Sequence, residues 1–281
     1  MAQAPKIILI TGSTDGIGFE TARWLASEGH QLIIHGRTPE RLESALNQIH
    51  SASNTNLTTG VTGDLSSLQQ VGLMAEQLIS RFNYLDVLIN NAGVIMKDYQ
   101  CSEDGYERTF AINHLGHFYL TGLILPLLQK ARPSRIINIS SEVHSQHLDL
   151  DDLVNPVRFE SMKAYANSKL CNLLFTYRLS ELISDASITV NAQHPGVINT
   201  KMLKGIWGAV GAPLKNGADN VCYLAVSSAV AGITGAYFNG QKRTRSSAAS
   251  NDTGLQKALW DFSLDLIERA GFTDPYPCKL N

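Results

Sequence analysis

Cysteine is scarce and scattered: Cys101, Cys171, Cys222 and Cys278 are the only four in 281 residues, and no two form a C-x-x-C pair. That spacing excludes a zinc-ribbon pattern and a small disulfide framework, and it fits a reducing cytoplasm. Neither sign of charge is in excess, with 23 Lys and Arg against 25 Asp and Glu. The balance argues against a broad basic face for nucleic acid and against an acidic solvating tail. The one basic cluster, QKRTR at 241 to 245, reads as a solvated loop. No stretch reads as the roughly eighteen consecutive apolar residues of a membrane span. The four strongly apolar residues after Lys6 are too few for a signal-peptide core, and no membrane anchor is expected. Repeats of fixed period and low-complexity tracts are also missing, which excludes a solenoid.

What the chain does have is enough apolar sequence, 44% against 17% charged, to bury one large core. Short β-branched runs recur at 6–10, 31–35, 57–61, 85–90, 135–140, 187–193 and 233–238. Between most of them lie stretches such as GFETARWLASEG and PERLESALNQIH, charged on one face and apolar on the other. Strands apolar on both faces and separated by helices require a parallel sheet covered on both sides. The expectation is a single α/β domain over 1–281, a doubly wound, Rossmann-type parallel sheet of about seven strands. GLQKALWDFSLDLIERAG reads as a closing helix.

In such a sheet, ligands bind at the carboxyl ends of the strands. After the first strand comes TGSTDGIG, in which Gly12, Gly16 and Gly18 lead into an amphipathic helix. Glycines there let backbone approach a pyrophosphate, and the helix N-terminus offers unpaired N–H groups to it. The second strand ends in Gly36 and Arg37, where an acidic residue would select a ribose 2′-hydroxyl. A guanidinium instead pairs with a 2′-phosphate, favouring NADP(H) over NAD(H). Asp15 argues the other way by its charge, and a bland alternative has Arg37 sitting at a solvated helix start. Further on, YANSK places Tyr165 and Lys169 four residues apart in SMKAYANSKLCNLLFTYRLSEL, a stretch without Gly or Pro. On a helix the two stack about 40° apart and can share a site, although a half-buried Tyr beside a solvated Lys has the same spacing.

Seven motifs in order, TGSTDGIG (11–18), GDL (63–65), NNAG (90–93), NHLGHF (113–118), ISS (139–141), YANSK (165–169) and HPGVINT (194–200), resemble those of the short-chain dehydrogenase/reductase family. LDLDDL, GITGAYF and KALWDFSLDL resemble its retinol-dehydrogenase-like branch. The resemblance implies hydride transfer between NADP(H) and an alcohol or carbonyl substrate with an apolar body. By it, Tyr165 is the acid/base, Lys169 its partner and a holder of the nicotinamide ribose, Ser141 (rather than Ser140) the residue on the substrate oxygen, and Asn113 a support for a proton relay. Lys169 is expected to favour the phenolate of Tyr165. The cofactor would be held by Gly12, Ser13, Thr14, Asp15, Gly16, Ile17 and Gly18, by Arg37, Asp64 and Leu65, by Asn91, Ala92 and Gly93, by Tyr165 and Lys169, and by Pro195, Gly196, Val197 and Thr200. Asn91 has a second role open to it, satisfying backbone between strands, as does Thr200 in capping a helix.

The stretch 201–214, with Met202, Leu203, Ile206 and Trp207 among glycines, is expected to form a lid over the substrate, the alternative being a loop packed on the core. The histidines and carboxylates of HSQHLDLDD are expected to hold no metal, and His114 and His117 to make structural hydrogen bonds. Relatives of this kind pair as homodimers or homotetramers on helices around 103–130 and 160–185. Two other functions compete. A non-catalytic nucleotide-binding regulatory or scaffold protein is disfavoured by the complete set Asn113, Ser141, Tyr165 and Lys169. An extended sugar-nucleotide epimerase is disfavoured because fewer than ninety residues follow HPG.

Overall fold

The structure, a computed structural model, describes residues 4–53, 57–208 and 210–276. Cys278, residue 209 and the side chain of Trp207 lie outside the described residues. The chain runs β1 (Ile7–Ile10), α1 (Gly16–Ser27), β2 (Gln31–Gly36), α2 (Pro39–Ser53), β3 (Thr59–Thr62), α3 (Leu68–Arg81) and β4 (Val87–Asn90). It continues through α4 (Arg108–Phe110), a π-helical segment (Ala111–Leu115), α5 (Gly116–Lys130), β5 (Ser134–Ile139), α6 (Leu150–Val154) and α7 (Ser161–Leu182). Then follow β6 (Ile188–His194), α8 (Lys201–Trp207), α9 (Leu214–Val226), β7 (Ala236–Asn239), β8 (Lys242–Thr244) and α10 (Thr253–Arg269).

All strands belong to one sheet, in the order β3-β2-β1-β4-β5-β6-β7-β8. Period-two alternation divides its side chains between two cores: Ile8, Ile10, Leu32 and Ile34 face α1, α2 and α9, while Leu9 and Ile33 face the opposite layer. That opposite layer holds α3, α5, α7 and α10. Pairing is parallel from β3 to β7. The order reverses at β1, where β2 lies on one side and β4 on the other, so the crevice at the switch point opens beside the glycine turn.

Two expectations need correction. QKRTR is not simply a loop: Lys242–Thr244 pairs antiparallel with β7 as an eighth, edge strand. All three of its residues are exposed, so no apolar alternation announced it. One helix, Arg108–Lys130, is also long and apolar enough by length and composition to cross a membrane, contrary to the reading of the bare sequence. It is buried in the sheet's helical layer, where an all-round apolar surface is what packing requires.

Helices α5 and α7 pack against the chain's own α10 and Tyr276. Phe118 meets Trp260 and Tyr276 with ring centroids 4.9 and 5.0 Å apart, and the Tyr276 hydroxyl donates to Phe118 O at 2.8 Å. The α10 helix starts at Asp252, whose carboxylate accepts the Leu255 N–H at 3.0 Å. Asp252→Ala is expected to cost about 1 kcal/mol by leaving that N–H without its cap, read as a lower urea midpoint at unchanged slope.

Candidate active site

Tyr165 and Lys169 lie one turn apart on α7, 8% and 3% exposed. The ammonium is therefore buried, not solvated. Lys169 Nζ sits 5.5 Å from the centroid of the Tyr165 ring and donates to Ile139 O, at the end of β5, at 2.9 Å. Just past that strand, Ser140 and Ser141 point to different places. Ser140 Oγ donates to Lys169 O at 2.7 Å and holds β5 to α7. Ser141 lies close enough to the Tyr165 side chain to favour its ionisation, so the second serine of the pair is the one that shares a site with the phenol.

Asn113 falls inside the π-helical segment, where Gly116 N–H bonds back to Ala111 O, five residues earlier. Its amide is fully used: Nδ2 donates to Ser168 Oγ at 2.9 Å and Val94 O at 3.0 Å, and Oδ1 accepts Val94 N–H at 2.8 Å. The widened turn is what brings Asn113 against both α7 and the segment after β4. A Cβ placed on Gly93 would lie 3.4 Å from Lys169 Nζ and 3.7 Å from Asn113 Oδ1. Gly93 thus lines the space between those two groups.

The chain's own groups hold the phenol neutral. Burial, the largest influence, raises the Tyr165 phenol above its ordinary value and outweighs the influence of Ser141, which lowers it. Burial also pushes Lys169 down from 10.5 to about 8. Desolvation disfavours both charged forms here, and it was this competition that the four-residue spacing could not reveal.

The glycine turn is rigidly built. Gly12 and Gly16 have φ of +61° and +62°. A Cβ on Gly12 would come within 2.8 Å of Ala92 Cα, while beyond Gly16 the space is open. Asn91 braces this turn, its Nδ2 donating to Thr11 O at 2.8 Å and Gly12 O at 3.2 Å. Ser13 is fully buried, with its Oγ donating to Ile10 O at 2.7 Å and accepting His35 N–H at 2.9 Å. Its side chain therefore supports the turn from beneath. Thr14 packs over Gly36, Ile17 and Gly18 begin α1, and Gly18 fits closely against Gly12 O and Asn91.

Asp15 caps α1 through the Gly16 N–H at 2.8 Å and pairs with Lys201 at 2.6 Å. Burial raises its pKa, but the Lys201 and Gly16 hydrogen bonds together hold it below the usual carboxylate range. Its charge is thus already partnered. Arg37 is exposed and forms no ion pair among the described residues. Asp64 accepts from Ser66 N–H and Oγ–H at 2.9 and 2.7 Å and faces Arg108 at 3.5 Å. Leu65 beside it is buried.

After β6, Pro195 O accepts Asn220 Nδ2–H at 2.9 Å, and Gly196 turns the chain with φ +103°. Val197 is half exposed. Thr200 caps α8, accepting Leu203 N–H at 3.1 Å. The stretch expected as a lid is helical over Lys201–Trp207, and it returns to this segment through Ala212 N–H to Val197 O at 2.8 Å.

Three histidines scaffold the site: His117, expected to make structural hydrogen bonds, and His35 and His144, which the sequence did not place there. His144 donates from Nδ1 to Ser141 O at 2.7 Å and accepts Ser247 N–H on Nε2 at 3.1 Å, fixing the backbone of Ser141. Asn113 O can only accept, so His117 Nδ1 donates to it at 3.1 Å, and the unprotonated Nε2 accepts the Thr11 hydroxyl at 2.8 Å. His35 joins Gly12 and Gly63. His35 carries no sequence signal of its ring partners, because both are backbone atoms more than twenty residues away.

The short chain dehydrogenase family model matches residues 6–209. The chain belongs to that family. Its relatives include human retinol dehydrogenase 13, 36% identical over 279 residues, covering 93% of this chain and 84% of that protein. Short-chain dehydrogenase TIC 32 B, chloroplastic, from Brassica napus is also 36% identical, over 92% of this chain and 88% of its own length. The sequence is thus that of a retinol-dehydrogenase-like short-chain dehydrogenase. Among solved structures, an uncharacterized protein from Mycobacterium paratuberculosis superposes with TM-score 0.78 at 28% identity, covering 96% of this chain and 95% of that one. A short chain dehydrogenase from Escherichia coli CFT073 complexed with NADPH has TM-score 0.68 at 25% identity, covering 86% and 98%. As a short-chain dehydrogenase, the protein is an oxidoreductase of alcohol and carbonyl groups that uses a nicotinamide dinucleotide.

Proposed function

We propose that this short-chain dehydrogenase prefers NADP(H) and interconverts an alcohol and its ketone or aldehyde, on a substrate with an apolar body. The observation that carries the reading is the meeting of Ser141, Tyr165, Lys169 and Asn113 at the carboxyl end of the sheet. A non-catalytic scaffold would have no use for a buried lysine held beside a buried phenol.

The residues present fit a dinucleotide. Open space beyond Gly16 suits a pyrophosphate, Gly93 suits close approach near Lys169, and the exposed, unpaired Arg37 suits a 2′-phosphate. Asp64 and Leu65 would lie along the adenine, and Pro195 to Val197 with Thr200 near the nicotinamide, which supplies or takes the hydride when bound. In the reductive direction Tyr165 gives its proton to the carbonyl oxygen, and Ser141 donates a hydrogen bond as charge grows there. A phenol held above its ordinary value keeps that proton at neutral pH and is available as the acid of the reductive direction. Lys169 then compensates the developing negative charge.

The apolar substrate is supported by exposed Tyr99, Val143, Val157, Val197 and Val210, all in segments following β4, β5 and β6. Met202, Leu203 and Ile206 on α8 would close over it as a lid. Free thiols at Cys101, Cys171 and Cys222 support a reducing, cytoplasmic setting.

Calorimetric titration with NADPH and NADH tests the cofactor preference. Arg37→Ala is expected to weaken NADPH binding by about 10–100-fold, the worth of charge-assisted hydrogen bonds to a phosphate, with NADH affinity nearly unchanged. Equal losses for both cofactors, or none, would overturn the assignment of Arg37.

A further inference from the structure

His35 lies on β2, 3% exposed, at a point where three parts of the cofactor crevice converge. Its backbone exchanges hydrogen bonds with Ser13: Ser13 N–H donates to His35 O at 3.0 Å, and His35 N–H donates to Ser13 Oγ at 2.9 Å. Its ring takes the Gly12 N–H on Nδ1 at 3.0 Å and lies 2.9 Å from Gly63 O through Nε2. An Nδ1 that accepts carries no proton, so Nε2 holds it and donates to the Gly63 carbonyl. The tautomer is fixed by backbone on both sides.

From this arrangement we infer that His35 is a positioning residue for dinucleotide binding: its neutral imidazole sets the spacing between the glycine turn and the segment Gly63–Leu65. The inference rests on the proposal that this crevice takes a nicotinamide dinucleotide. Gly12 is the hinge of the turn, with its carbonyl held by Asn91 and its N–H held only by His35 among the hydrogen bonds of the described residues. Gly63 leads directly into Asp64 and Leu65, and its own N–H donates to Gly36 O at 3.3 Å, one residue before Arg37. The ring thus ties the part that would take pyrophosphate to the part that would take adenine, and the Gly63–Gly36 backbone bond joins these to the end of β2 beside Arg37. A rigid five-membered ring with an acceptor on one edge and a donor on the other spans that gap. An aliphatic side chain would leave the Gly12 N–H and the Gly63 carbonyl without these partners.

The charged and titratable groups facing the ring are the Asp64 carboxylate and the His117 imidazole. Burial holds His35 below the ordinary histidine range, and this outweighs the Gly63 hydrogen bond and Asp64, which favour the cation. Protonation would remove the acceptor for Gly12, so the positioning function belongs to the neutral form.

Calorimetry of the full chain with NADPH, on wild type, H35A and H35N, tests the inference. The Asn amide oxygen can stand where Nδ1 stands and restore the acceptor for Gly12. H35A is expected to bind about tenfold more weakly, and H35N to recover to within about threefold of wild type. Should H35A not fold, as judged by circular dichroism, H35Q takes its place with the same expected loss, since it keeps a donor toward Gly63 but no acceptor toward Gly12. Wild-type affinity in H35A, or H35N no tighter than H35A, overturns the inference. A wild type that takes neither NADPH nor NADH would instead overturn the dinucleotide reading itself, and the inference with it.

Discussion

Replacing Tyr165 with phenylalanine is expected to lower turnover by roughly 10²–10⁴-fold while leaving dinucleotide affinity within about twofold. The ring stays, so the packing of a residue only 8% exposed is preserved and the turn of α7 that carries Lys169 does not shift. What is lost is the phenolic proton beside Ser141. The loss should fall on the chemical step, because the phenol combines a proton with that position, while Lys169 Nζ donates to Ile139 O and His144 donates to backbone. Single-turnover reduction of a carbonyl that the wild type accepts, together with a calorimetric titration, separates the two quantities. Undiminished turnover would remove Tyr165 from the mechanism; weakened cofactor binding alone would make it a structural residue.

Lys169→Met should make the folded protein more stable and the enzyme nearly inactive. The lysine is pushed from 10.5 to about 8 by burial, so its folded-state value lies below its unfolded one. Between those two values the unfolded chain holds a proton that the folded chain has released, and stability therefore rises with pH across that window. Below about 8 the desolvation cost is fully present. The shift corresponds to about 3 kcal/mol as an order of magnitude, and methionine, of similar length and without charge, removes it. The Ile139 carbonyl is not orphaned, because Asn172 Nδ2 also donates to it at 3.1 Å. Urea unfolding of both proteins at pH 7 should show the variant more stable, with the gap closing toward pH 10. A less stable variant at pH 7 would mean that the ammonium's hydrogen bond outweighs its burial. A group retained at such a cost is what an active site is expected to contain.

Much of this architecture was legible in the sequence for definite physical reasons. Strands such as KIILI are apolar on both faces because helices cover both faces, and SMKAYANSKLCNLLFTYRLSEL has the same bounds as α7, Ser161–Leu182. Other features leave no such trace. The π-helical turn at Asn113 depends on how α5 meets α7, not on its own residues. The short β8 is exposed throughout, so it lacks the alternation by which strands are recognised. The helix Arg108–Lys130 is apolar all round, and its place inside the fold is set by tertiary packing. Histidines such as His35 act through backbone partners distant in sequence. Spacing put Tyr165 and Lys169 together, but only burial showed that both resist ionisation.

The cover that α10 and Tyr276 provide has a consequence for synthesis. Ribosomes deliver this chain from its amino end, so β1 through α7 emerge with Phe118 and Phe175 still lacking Trp260, their partner in the finished fold. The helix that bears Tyr165 and Lys169 thus stays uncovered on this flank until α10 has been made. During that interval the nascent protein presents an aromatic face of the kind that chaperones engage. Completion of that helix's packing therefore waits on the synthesis of α10, and a ribosome stalled before α10 would display the sheet with this flank uncovered.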